Sequence, residues 1–163
     1  MTAASDEIGL AVSPVANPTT TWRIHCDGTA LPNPGLIGIG AVLVSPAGAT
    51  FTLSEASGAR GCNNEAEAAA LIAALKLAQH HGARALCIRS DSAVVVEQTM
   101  GTTRTTIARL AKPFAEARAL LATFDYIDFQ LVQRRHNSAA DALARKSLGL
   151  APKPPPKPSK RKR

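Results

Sequence analysis

The sequence predicts an α/β fold built on a five-stranded mixed sheet flanked by helices, and three observations carry that expectation. The hydrophobic periodicity alternates between strand-like and helix-like stretches in the order βββαβααβα. The first three strands are joined by short turns, whereas the last two are reached through helices, so a three-strand antiparallel meander should continue into two parallel strands. The 163-residue chain, 45% hydrophobic, also suits one domain with tails and a core that needs neither metal staples nor disulfides.

Each element has its own signal. Residues 22–27 (WRIHCD) alternate apolar Trp22, Ile24 and Cys26 with polar Arg23, His25 and Asp27, a strand that should end at an Asp-Gly turn. Gly38 to Ser45 reads as the second strand, Pro46-Ala47-Gly48 as a turn, and Thr50 to Ala56 as the third strand. Asn63 to His81 is an Ala- and Leu-rich helix, opened by an Asn cap and closed by Gly82. Arg84 to Arg89 forms the fourth strand, and Ser92 to Met100 a short helix stopped by Gly101. Thr105 to Thr123 carries Ile107, Leu110, Phe114 and Leu121 along one stripe, with a kink expected at Pro113. Tyr126 to Gln133 alternates as the fifth strand, and Ser138 to Leu148 is the last helix.

Composition divides the chain into a flexible leader (1–20), a folded domain (21–149) and a Pro/Lys/Arg-rich, disordered basic tail (150–163). The net charge of +7 is unevenly spread: the leader contributes −2, the tail +6, and the domain +3 from 13 basic and 10 acidic residues. The tail reads either as a solubilising end or as a sequence-independent phosphate contact acting through counterion release. The longest strictly apolar run, Ala68 to Leu75, is far below the ~20 residues of a membrane span. The first 22 residues lack any Lys or Arg for a signal-peptide n-region. Cys26, Cys62 and Cys87 are odd in number and form no C-x-x-C pair, so reduced thiols in a cytoplasmic protein are expected; a monomer without membrane attachment is expected as well.

Four acids stand where a strand ends or a helix begins: Asp27, Glu67, Asp91 and Asp141. In open α/β sheets such ends gather at one ligand-binding crevice. Singly, each has an ordinary explanation. Asp27-Gly28 is a turn dipeptide, Asn64-x-x-Glu67 looks like a capping box, Asp91 is a good N-cap, and Asp141 suits an exposed helix position.

Their neighbours change that reading. Asp27-Gly28-Thr29-Ala30, then Asn33-Pro34-Gly35 and Gly38-x-Gly40, resembles the first motif of the ribonuclease H family, type 1. Cys62-Asn63-Asn64-Glu65-Ala66-Glu67 with Ala70 is similar to the family's N-N-x-x-E-x-x-A segment, which makes Glu67 rather than Glu65 the second acid. Ser90-Asp91-Ser92 resembles the third motif, and the stretch from Arg134 to Ala144, with Asn137 and Asp141, resembles the last, N-x-x-x-D-x-L-A. The four occur in family order across residues 22–147, and the βββαβααβα order agrees with a ribonuclease H-like fold.

The resemblance implies a divalent-metal-dependent endoribonuclease acting on the RNA strand of RNA/DNA hybrids and leaving 5′-phosphate and 3′-hydroxyl ends. Clustered carboxylates repel unless cations compensate, and hard Mg²⁺ ions suit oxygen ligands. By the family pattern two Mg²⁺ ions are expected, with Mn²⁺ as a substitute. Asp27 would bridge both, Glu67 and Asp91 would serve one side, and Asp141 the other. By position Gly28, Asn63 and Asn64 are candidates to read 2′-hydroxyls, the asparagines having a rival role as helix caps. Asn33 matches a DNA-strand phosphate contact or else serves turn chemistry before Pro34, and Arg135 would contact nucleic acid. His136 is a candidate for proton transfer, or else a phosphate contact or solvated residue. Residues 101–125 contain no Trp and four basic residues, so the basic helical protrusion of the familiar bacterial enzymes is not expected. Two alternatives stay open: a related nuclease acting on double-stranded RNA or RNA–DNA junctions, and a hybrid-binding module without catalysis.

Overall fold

The computed structural model describes residues 17–154, so most of the expected leader and tail lies outside the described residues. Five strands and four helices follow the expected order: β1 (Thr21–Leu31), β2 (Gly35–Val44), β3 (Thr50–Gly61), α1 (Asn63–His80), β4 (Ala85–Ser90), α2 (Ala93–Met100), α3 (Ala108–Leu121), β5 (Tyr126–Leu131) and α4 (Ser138–Ser147). A single 3₁₀ turn, Arg134–His136, leads into α4. The sheet order is β3-β2-β1-β4-β5, antiparallel in the meander and parallel where β4 joins β1 and β5 joins β4. Between β4 and β5 there are only α2 and α3, which leaves no helical protrusion.

Alanine sets the packing distance. The inner face of α1 consists of Ala66, Ala68, Ala70, Leu71, Ala74, Leu75 and Ala78, all buried. Such small side chains let the helix sit close on β1 and β2 and accept α3 behind it through Leu110, Phe114, Ala117 and Leu121. The helix α3 runs through Pro113, and Ile107, expected on its buried stripe, is the half-exposed N-cap residue instead. On the other side α4 lies across β1, β2 and β3. A Cβ on Gly40 would collide with the Ala140 carbonyl, so α4 contacts the sheet backbone directly. None of the described helices is long and apolar enough to cross a membrane.

Further local expectations need correction, among them β3, which runs on to Gly61 rather than ending at Ala56. The first strand does not end at Asp27-Gly28 but continues to Leu31, paired with β2 throughout. The N-cap of α1 is Cys62, with Glu65 reaching back to the Cys62 N–H at 3.2 Å, so the capping box uses Glu65 and leaves Glu67 free. Glu65 is further held by Arg109 at 3.3 Å.

Candidate active site

The sheet forks at the first acid. β1 pairs with β4 only from Thr21 to His25, while its pairing with β2 runs on to Leu31. Beyond His25, β1 therefore has an edge with no strand beside it. Side chains from other elements fill that edge. Asn137, the N-cap residue of α4, donates from Nδ2 to the Cys26 carbonyl at 2.9 Å. The Gly28 N–H donates to Glu67 Oε2 at 3.4 Å, and the Ala30 N–H donates to Asn63 Oδ1 at 3.0 Å. Gly28 faces α1 so closely that a Cβ there would overlap the Ala66 carbonyl. The Asp-Gly pair is thus a close-approach device within a strand, not a turn.

Into this fork point four carboxyl groups. Asp27 is buried in mid-strand, and Glu67 projects from the second turn of α1. Asp91 follows β4, just ahead of Ser92, which caps α2 by accepting from the Val95 N–H at 3.2 Å. Single oxygens of Asp27, Glu67 and Asp91 lie within 4.8 Å of one another. Asp141, in the first turn of α4, lines the same cleft close enough to Asp27 to raise its carboxyl. All four line one cleft of about 200 Å³ together with Gly28, Asn63 and Asn64.

The electrostatics follow from this crowding. Burial, then the charge of Glu67 and the hydrogen bonds from Glu67 and Asp141, pushes the Asp27 carboxyl up to about 10. Glu67 is pushed up to about 7 by burial, moderated by its hydrogen bonds to Asp27 and Gly28. Asp27 and Glu67 thus face each other with both carboxyls raised, so the pair resists carrying two charges at once. Asp91 is raised by burial and partly restored by the nearby Arg134 guanidinium. Several hard oxygen donors that cannot all ionise unaided form a donor set suited to a hard divalent cation, and three carboxylates at this separation fit one.

The other sequence candidates divide. Asn33 lies outside the cleft; its Oδ1 accepts from the Asn63 N–H at 3.0 Å, latching the β1–β2 loop onto the start of α1. Arg135 and His136 are exposed and line a neighbouring groove with Arg23 and His25, and Arg135 also lines the cleft that Asp91, Asp141 and Lys153 share beside the carboxylate cluster. Three contributors escaped the sequence reading. Arg134 and Asn137 lay within the last motif, from which Asp141, Arg135 and His136 were assigned roles, and Lys153 was counted only as one of the tail's diffuse charges. Its Nζ stands 3.5 Å from Asp141 Oδ1.

Comparison with known proteins agrees with this geometry. A family model described as "Reverse transcriptase-like" matches residues 25–147. Ribonuclease HI of Halobacterium salinarum is 37% identical over 139 residues, spanning 84% of this chain and 70% of that protein. A bifunctional protein of Mycobacterium tuberculosis is 38% identical over 130 residues, 78% of this chain, although the chain spans only 35% of that relative. Among solved structures, the ribonuclease H1 of Halobacterium salinarum superposes with a TM-score of 0.75 at 37% identity, covering 79% of this chain and 98% of that one. A ribonuclease H1 isolated from compost, solved in complex with an RNA/DNA hybrid, gives a TM-score of 0.71 at 30% identity, covering 78% and 96%. The matched residues include all four carboxylates of the cleft, and this chain belongs to the ribonuclease H family, type 1.

Proposed function

We propose that this protein hydrolyses the RNA strand of RNA/DNA hybrids with divalent cations held by Asp27, Glu67, Asp91 and Asp141. The observation that carries this reading is the convergence of three carboxylates within 4.8 Å, with Asp141 closing the cluster, in a family member whose structural neighbour was solved with a hybrid. Asp27, Glu67, Asp91 and Asp141 would hold two Mg²⁺ ions, or Mn²⁺ in their place. Such ions would supply charge neutralisation and water activation, and the expected products are 5′-phosphate and 3′-hydroxyl ends.

The chain's own residues do the positioning. Asn137, by holding the Cys26 carbonyl, fixes the backbone that carries Asp27. Arg134 sets a permanent positive charge beside Glu67 and Asp91, where phosphate charge must be balanced. Gly28, Asn63 and Asn64 line the wall of the cleft where backbone and amide groups can meet a ribose 2′-hydroxyl. Cleavage of an end-labelled hybrid is expected to require divalent metal and to fall at least ~10³-fold in Asp27→Asn, as loss of a metal ligand and its electrostatic stabilisation demands. Unimpaired cleavage by that variant would sink the reading. A panel including double-stranded RNA and a single RNA–DNA junction measures the breadth of the substrate range.

A further inference from the structure

The root of the basic tail is folded back onto the carboxylate cleft. After α4 the chain reverses at Gly149, whose φ is +74°. The Leu150 N–H donates to the Arg145 carbonyl at 2.9 Å, and Arg145 Nε donates to the Ala151 carbonyl at 2.7 Å. These two bonds clamp the tail's start to the helix that carries Asp141. The chain then runs toward the N-terminal end of α4, where Pro152, Lys153 and Pro154 wall a second cleft with Asp91 and Arg134. Lys153 lines the carboxylate cleft itself and reaches Asp141 at 3.5 Å. Its side chain is 56% exposed, so the ammonium is free to change partners.

From this clamp and this contact we infer that Lys153 is a substrate-positioning residue, which pairs with Asp141 in the free protein and takes a phosphate of the bound strand once Asp141 is engaged by a cation. The inference rests on the function proposed above and deepens it. A lysine anywhere in a loose tail would contribute one diffuse charge. A lysine held at the mouth of the cleft instead meets the backbone at a defined place, and it competes with a metal for one carboxylate. The two behaviours separate by experiment, because Lys153 and Lys157 carry the same charge four residues apart.

Three single variants, K153Q, K157Q and R145Q, are compared with wild type in the full chain. Calorimetric titration with Mn²⁺ alone should show K153Q binding about two- to fivefold more tightly than wild type, the release expected from one exposed ion pair. K157Q should match wild type. In steady-state hybrid cleavage K153Q should raise KM at least ~3-fold with kcat little changed, as loss of one charge-assisted phosphate contact requires. R145Q, which removes the side-chain bond of the clamp and leaves the Leu150 backbone bond, should raise KM in the same direction, and K157Q should do so less. Equal KM and equal Mn²⁺ affinity for K153Q and K157Q, with wild type active, would overturn the inference and leave the proposed function standing. Absence of hybrid cleavage by wild type would overturn both, and the Mn²⁺ titration would then report only on the Asp141 contact.

Discussion

Asp27 is asked to do two incompatible things, to sit buried in a strand and to carry charge. In the metal-free native protein Asp27 and Glu67 retain protons that the unfolded chain releases near pH 4. The native state therefore binds more protons than the unfolded state above that pH. Stability must fall as pH rises, up to about 7 for Glu67 and on to about 10 for Asp27. Each group contributes a slope of at most ~1.4 kcal/mol per pH unit. Thermal unfolding in chelator at a series of pH values should show this decline, and saturating Mg²⁺ should flatten it. Asp27→Asn should raise the chelator midpoint at neutral pH by several degrees, on the order of 1–3 kcal/mol, while abolishing cleavage. A lower midpoint would mean that Asp27 is paired in some other way. The choice of Glu67 over Glu65 came from the resemblance to the family motif; in the structure Glu67 lines the cleft, and Glu65 is spent on the Cys62 N–H and Arg109. Lys153 was illegible because a charge in a proline-rich tail has no periodicity to fix where it lands.

At the scale of elements, the order and type of the strands and helices were legible, from alternation in β1 and β5, from the apolar stripe of α3, and from Ala/Leu content and Gly breakers around α1 and α2. The end of β1 was misread for a definite reason. Asp-Gly favours turns locally, yet here tertiary packing uses the missing Cβ to bring α1 against the strand. The same device holds α4. Gly40→Ala should force α4 outward, costing about 1–3 kcal/mol in urea unfolding and weakening Mn²⁺ binding by displacing Asp141. Asn137→Ala should cost a similar ~1–3 kcal/mol, because it strands the Cys26 carbonyl in a buried place. If either variant unfolds like wild type, α4 is not fixed by that contact.

For the whole molecule, the sequence total of +7 conceals an acidic pocket in a basic setting. With the four cleft acids set aside, the 21–149 domain holds 13 basic and six acidic residues. The last nine residues, 155–163, add five more positive charges. Deleting them should weaken hybrid binding mostly at low salt and flatten the log–log salt dependence by up to ~4 in slope. An unchanged slope would make the distal tail a bystander. The charge distribution was readable from sequence, whereas the meeting of four acids 114 positions apart from first to last needed the family motifs, since no local pattern links β1 to α4.

The fork in the sheet bears on how inactive forms of this protein should be made. Where β4 leaves β1, the exposed strand edge is finished by Glu67, Asn63 and Asn137, each of which serves a backbone group that a neighbouring strand would otherwise satisfy. Those three side chains are structural mortar as well as parts of the site, and truncating them opens a seam in the sheet. Asp27 and Asp91 hold up no such backbone edge. A trapping variant meant to bind hybrid without cutting it is therefore best built at these two aspartates, where silencing the chemistry leaves the masonry intact.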